Sequence, residues 1–162
     1  MRRLFRNLKA KLLQLLYSKQ LIKDSRICGH RPAPTVHSLT DYKIWCFYGS
    51  PECVLVVQNR KKRENYTLNM YDLNWNRIPN SLRVNEHFTE NGSTNQKPSC
   101  LGQMLTMASN ISKPFPEVRV DFYVINDKPI IGELTFSSGY GNYTDEFYDY
   151  LGSKVQLPNR IK

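Results

Sequence analysis

Two alternating runs toward the C-terminal end organise this chain. Val118, Val120, Phe122 and Val124 alternate with Arg119, Asp121 and Tyr123, and Gly132, Leu134 and Phe136 alternate with Ile131, Glu133 and Thr135. A period of two belongs to a strand with one buried face. The stretch therefore predicts a half-buried β-hairpin whose apolar sets share a core face, leaving arginine, two carboxylates and a hydroxyl on one exposed surface. That phase puts Asp121 opposite Glu133, which requires an odd loop, either Asn126 to Lys128 or Ile125 to Pro129. The longer loop suits Pro129, which has no N–H to donate to the ladder. An even loop would put the two carboxylates on opposite faces.

The rest of the pattern predicts a mixed domain. Tyr42 to Tyr48 alternates and is rich in aromatic residues, and Gly49, Ser50 and Pro51 turn it into Cys53 to Val57, a second hairpin. The charged run Arg60 to Glu64 reads as a solvated loop before a strand near Tyr66 to Tyr71. A phosphate-binding patch is the sharper reading of Arg60, Lys61, Lys62 and Arg63. Residues 72–97, dominated by Asn, Pro, Ser, Thr and Gly, read as mostly loop. Leu101, Met104, Leu105, Ala108 and Ile111 mark a helix opened by Pro98, with its stripe on the sheet. Ser137 to Gly141 is either a plain connection or a loop whose amides approach an anionic substrate. Asp145 to Leu151 reads as a short helix with Gly152 as its C-cap.

The start of the chain has a different character. Leu4, Phe5, Leu8, Leu12, Leu15 and Leu16 recur at helical spacing to about Ile22, with Arg2, Arg6, Lys9 and Gln14 mostly elsewhere on the wheel. Residues 23–40, containing Arg31-Pro32-Ala33-Pro34, read as a linker. The division expected is an amphipathic helix over 1–22, a linker over 23–40, a domain over 41–158 and a basic tail over 159–162. The leucine stripe either docks on the domain, as most such stripes do, or lies on an anionic membrane surface.

Composition narrows the class. A chain of 162 residues with 40% hydrophobic positions is long enough for one core. Twenty-three Lys and Arg against 14 Asp and Glu give a net charge of +9, which favours acidic partners: anionic lipid, nucleotides or polyanions. No helix-turn-helix, RNP or zinc-finger pattern accompanies that charge, so nucleic acid is set aside. Cys28, Cys46, Cys53 and Cys100 show no paired spacing and read as free, buried or half-buried thiols. Basic residues run through positions 2–11 and leave no uninterrupted apolar region of a signal peptide, so a cytoplasmic protein is expected, with the option of a peripheral position on the inner face of the membrane.

Candidate chemistry centres on Asp121 and Glu133. Two carboxylates paired across a sheet repel unless a cation or an arginine sits between them. Magnesium takes one or two protein carboxylates and completes its shell with water and phosphate oxygens, and an arginine such as Arg119 can fork onto phosphate. The ordinary alternative is a solvated sheet face with a surface ion pair.

Six blocks add a resemblance: DYKIWCFYG (Asp41 to Gly49), MYDLNWNRIP (Met70 to Pro79), KPSCLGQMLTMASNISKPFP (Lys97 to Pro116), RVDFY (Arg119 to Tyr123), GELTFSSGYG (Gly132 to Gly141) and LGSKVQLP (Leu151 to Pro158). Together they resemble, in order, the TupA-like ATP-grasp family of bacterial surface-polysaccharide and teichuronopeptide biosynthesis. The resemblance implies an α+β fold, an antiparallel β-sheet with packed helices like the C-terminal subdomain of ATP-grasp. It implies ATP and Mg²⁺ as ligands, with Asp121 and Glu133 on the metal and Arg119 as the catalytic contact to the transferred phosphate. Lys43, of the DYK block, would be a further phosphate contact, although its ordinary reading is a strand-start lysine facing solvent. Thr135 stands where ATP-grasp enzymes more generally carry asparagine, and would offer only a hydroxyl to the nucleotide site.

The family's N-terminal subdomain, with its phosphate-binding lysines and mobile loop, has no recognisable counterpart before residue 41, so the chain is expected to be half of an enzyme. Two functions follow. One is a truncated ATP-grasp-like protein that retains a Mg-nucleotide half-site derived from an ATP-dependent carboxylate–amine ligase, with a partner protein that completes the site as an option. The other is a non-catalytic accessory or remnant module that binds a partner or an anionic surface.

Overall fold

The computed structural model describes residues 40–58, 66–83, 88–90, 94–136 and 141–155. The expected N-terminal helix, nearly all of the linker, the Arg60 to Arg63 run, most of the Ser137 to Gly141 loop and the basic tail lie outside them. Among the described residues six strands and two helices follow in order: β1 (Asp41–Phe47), β2 (Ser50–Gln58), β3 (Tyr66–Tyr71), β4 (Phe88–Glu90), α1 (Leu101–Ser112), β5 (Val118–Ile125), β6 (Lys128–Thr135) and α2 (Asp145–Lys154). The strands form one sheet in the order β4-β3-β2-β1-β5-β6. Five are antiparallel, as expected for an α+β domain. β4 pairs parallel with β3 and was expected to be loop, since three residues are too short to show a period.

The sheet is packed on both sides. Ile44, Cys46, Val54, Val56, Val118, Val120 and Phe122 meet Leu101, Met104 and Ala108 of α1, whose spacing of three and four residues puts them on one helical face. On the other side Trp45, Phe47, Cys53, Leu55, Val57, Leu68 and Met70 meet Leu82, Tyr143 and the α2 residues Phe147 and Leu151. Each buried large side chain contributes about 1.5–3 kcal/mol, so neither layer is dispensable. This two-sided burial overturns the expected exposed charged face: Asp121 is 4%, Lys43 8% and Asp41 3% exposed.

Both hairpins use a two-residue turn followed by a bulge. Tyr48 and Gly49 take φ of 46° and 88°, and Asn126 and Asp127 take 51° and 58°. Paired left-handed residues give the turn whose twist matches the flanking strands. Ser50 and Pro51, read as turn, instead pair with Phe47 and Cys46 in β2, and Glu52 is the extra residue. In β5–β6 the loop is even, against expectation. The extra residue Gly132, between the pairs Phe122↔Ile131 and Asp121↔Glu133, restores the phase that an odd loop would have set.

The helices are fixed at their ends. Ser109 Oγ donates to Gly49 O at 2.6 Å, tying α1 to the β1–β2 turn. Pro98 lies ahead of α1, where its carbonyl accepts from Leu101 N at 3.1 Å. Thr144 Oγ1 caps α2 by accepting from Phe147 N at 3.3 Å. α2 continues through Gly152, which was expected to end it. Tyr150 and Lys154 both reach Glu52, at 3.1 and 3.2 Å, and hold the last turn. On the α1 side, Asn95 ties the chain ahead of that helix to the sheet by bonding Asn69, Tyr71, Trp75 and Gln58.

Candidate functional site

Three neighbouring strands place six side chains in two rows on the α2 side of the sheet. Lys43, Asp121 and Glu133 form one row and Trp45, Arg119 and Thr135 the other, each strand supplying residues two apart. The sequence brought Arg119, Asp121, Glu133 and Thr135 to one face, and the structure agrees. It adds Lys43 as the direct cross-strand neighbour of Asp121, not a lysine facing solvent.

Asp121 is the hub. Arg119 Nε donates to its Oδ1 at 2.7 Å and Arg119 Nη2 to its Oδ2 at 2.9 Å, a two-pronged guanidinium–carboxylate pair. Lys43 Nζ also donates to Oδ2. Lys43 Nζ stands 3.8 Å from Asp41 Oδ2, so Asp41, one strand position away on the same face, extends the cluster. Arg119 Nη2 further donates to Thr135 Oγ1 at 3.1 Å, and its guanidinium lies 5.4 Å from the Trp45 ring centroid. Thr135 thus orients the arginine. Glu133 is exposed at the rim of the array.

Burial alone would weaken the charge of Arg119, but the hydrogen bonds and charge of Asp121, with smaller contributions from Tyr143 and Glu133, outweigh it and raise its pKa. Tyr143, edge-on to Trp45 at 5.5 Å, has its phenol pushed up by burial, against the pull of Arg119. Both groups hold one protonation state across the physiological range.

Asp41 and Trp45 were not foreseen as site residues. The signal was present: in Asp41-Tyr42-Lys43-Ile44-Trp45 the odd positions share the face of Asp121, and apolar residues in both phases mark a strand buried on both sides.

The carboxylate pair suits a metal whose shell is finished by a ligand. Among the described residues no group of three or more His, Cys, Asp or Glu side chains could enclose an ion. Two adjacent carboxylates, one buried and one exposed, match magnesium's preference for few protein ligands. Lys43 and Arg119 oppose a bare cation and suit one carried by phosphate.

Other candidates recede. Gly141 N, in the glycine-rich loop, donates to Tyr148 Oη at 2.8 Å and is spent inside the protein. Cys46, Cys53 and Cys100 are free and buried. Burial pushes Cys46 up to about 12 and Cys53 higher still, which makes poor nucleophiles of them. Among the described residues no helix is long and apolar enough to cross a membrane.

The model of the TupA-like ATP-grasp family matches residues 5–156, a span that takes in all six sequence blocks almost to their end and most of the stretch before them. No curated protein and no solved structure matches the chain.

Proposed function

Because the chain belongs to the TupA-like ATP-grasp family, we propose that its two-row array is one wall of a Mg-nucleotide site, inherited from an ATP-dependent carboxylate–amine ligase of surface-polysaccharide assembly. The observation that carries this reading is the cross-strand set Lys43–Asp121–Glu133 beside Arg119. Asp121 and Glu133 would hold Mg²⁺, which when bound offsets phosphate charge. Arg119 and Lys43 would take phosphate oxygens, with Thr135 and Trp45 orienting the arginine.

In a ligase of this kind the substrate carboxylate attacks the terminal phosphorus and ADP leaves. An amine then displaces phosphate from the acyl phosphate to form the amide. The residues here act on the first step, by positioning and charge stabilisation, which supply nearly all the catalysis in phosphoryl transfer. A second wall, from a partner protein, would close over the nucleotide and exclude water. The place of work on this reading is the cytoplasmic side, where ATP is, with an anionic membrane surface as a further partner through residues 1–22.

The closed geometry of Asp121 favours a second reading, a non-catalytic accessory module that keeps the array as a structural ion cluster. Calorimetric titration of the full chain with ATP and Mg²⁺ separates the two. Saturable binding that weakens in Glu133→Gln, an exposed position whose change leaves the core intact, supports the nucleotide site. Absence of binding at millimolar nucleotide supports the accessory module.

A further inference from the structure

The charges where β1 meets β5 are answered from within the protein. Asp121 accepts from both prongs of Arg119 and from Lys43. Lys43 also faces Asp41, and Arg119 leans on Thr135 and Trp45. The nearest neighbours of the Asp121 carboxylate are therefore two cations. A bare divalent cation approaching it meets like charge and must displace a bonded ammonium or guanidinium. A bare polyphosphate is opposed from the other side. To reach Lys43 and Arg119 it must strip them from Asp121, leave that carboxylate buried without its partners, and lie beside Asp41, Asp121 and Glu133.

The two obstacles cancel when both ligands arrive together. Asp121, with Glu133 at the rim as a second carboxylate, would hold the cation in place of Lys43 and Arg119. The freed lysine and arginine would take phosphate oxygens in place of Asp121. Every charge that was paired is paired again.

Resting on the nucleotide reading above, we infer that the Arg119–Asp121–Lys43 cluster is a self-neutralising lock, which opens only to a divalent cation and a polyphosphate binding as one complex. The site then discriminates against metal-free nucleotide and against free metal alike. Its selectivity lies in the exchange of internal ion pairs for external ones. Coupling between two ligands of this kind is reciprocal, and typical strengths are about 5- to 150-fold.

Calorimetry on the full chain tests this with four titrants: ATP with Mg²⁺, ATP with a chelator, Mg²⁺ alone, and tripolyphosphate with Mg²⁺. The magnesium complexes are expected to bind roughly 5- to 150-fold more tightly than metal-free ATP, with Mg²⁺ alone weaker still. Asp121→Asn gives the sharper result. With the lock carboxylate neutral, metal-free ATP binds more tightly than it does to the wild type, and Mg²⁺ no longer helps. A carboxylate that only ligates metal would leave metal-free binding unchanged in that variant.

Lys43→Met probes the same lock from the cationic side and is expected to strengthen binding of Mg²⁺ alone. Glu133→Gln should weaken the magnesium complexes and give metal-free ATP a smaller gain than Asp121→Asn does, because Glu133 is exposed and holds neither Lys43 nor Arg119. Equal wild-type affinity for ATP with and without Mg²⁺ overturns the lock and leaves a nucleotide site standing. So does unchanged metal-free binding in Asp121→Asn together with unchanged Mg²⁺ binding in Lys43→Met. Failure of all four titrants to bind the wild type overturns the nucleotide reading and the lock with it.

Discussion

Gly132 lies close against the ring of Tyr123: a Cβ built on that glycine would fall 2.5 Å from Tyr123 Cε2. The contact explains why the bulge residue of β6 is glycine. The bulge in turn is what sets Glu133 across from Asp121 after an even turn. Gly132→Ala should therefore push the ring aside and cost about 1–3 kcal/mol, the usual penalty of overpacking. Urea unfolding measures it. In a Tyr123→Ala background most of that penalty should vanish, giving a coupling energy in the double-mutant cycle. Additive effects would mean that the ring is not the obstacle.

The buried ion cluster predicts an order of destabilisation. Neutralising Asp121, by Asp121→Asn, takes the carboxylate from buried Lys43 and half-buried Arg119 and should cost about 3–5 kcal/mol. Arg119→Met and Lys43→Met should each cost less, because Asp121 keeps its other partner. Arg119→Lys preserves charge but loses the fork on Asp121 and the placement of the guanidinium over the Trp45 ring, so it should be no better than partly restorative. Thermal unfolding of the four variants checks the ranking, and a cost for Lys43→Met above that for Asp121→Asn would contradict it.

The alternation of Val118 to Val124 with Arg119 to Tyr123, and of Leu134 with Glu133 and Thr135, was enough to read β5 and the shared face of Asp121 and Glu133. Ile131, expected on the face of Glu133, lies instead across from Phe122 on the α1 side because the bulge at Gly132 shifts the phase. Nor was the alternation enough to read the loop between the two strands. Counting back from the phase assumes an unbroken ladder, and a glycine at position 132 looks the same to a period-two pattern whether it continues the strand or bulges out of it. Burial of the charged face was missed for a different reason. Alternation in β5 alone is what a one-sided sheet produces, whereas the signal of a second packed side lay in β1, where Ile44 and Cys46 fill one phase and Trp45 and Phe47 the other. Tyr143, Phe147 and Leu151, which line that side, come from distant sequence, so no local pattern announces them.

Burial of Cys46 makes a pH prediction. Its thiol, ordinarily near 9.0, is pushed up to about 12 in the folded state, chiefly by desolvation. Between those values the unfolded chain gives up the proton and the folded protein keeps it, so unfolding gains free energy from deprotonation. The contribution is fully present below pH 9 and is lost as pH rises toward 12. Cys46→Val, which removes the titrating group while filling similar space, should show a shallower fall in unfolding free energy over pH 9 to about 11 than the wild type. Identical slopes would show that the thiol is not what titrates.

Trp45 provides an optical readout of the site. The chain has two tryptophans. Trp45 is fully buried with Arg119 5.4 Å from its ring, while Trp75 is half-buried and stacked on Tyr71 at 4.4 Å on the other side of the sheet. Trp75→Phe should keep the stack and the fold, at the loss of the hydrogen bond to Asn95 O, and leave Trp45 as the one indole emitter. If a magnesium polyphosphate draws Arg119 off Asp121, the cation over the Trp45 ring moves and its emission changes in intensity or wavelength. Titration of the Trp75→Phe protein with ATP and Mg²⁺ should thus give a saturable change, with the same midpoint as calorimetry. The change should be absent in the Trp75→Phe, Arg119→Met double variant. A calorimetric signal with no optical counterpart would place the ligand elsewhere on the protein and leave the Arg119–Trp45 pair as part of the fold alone.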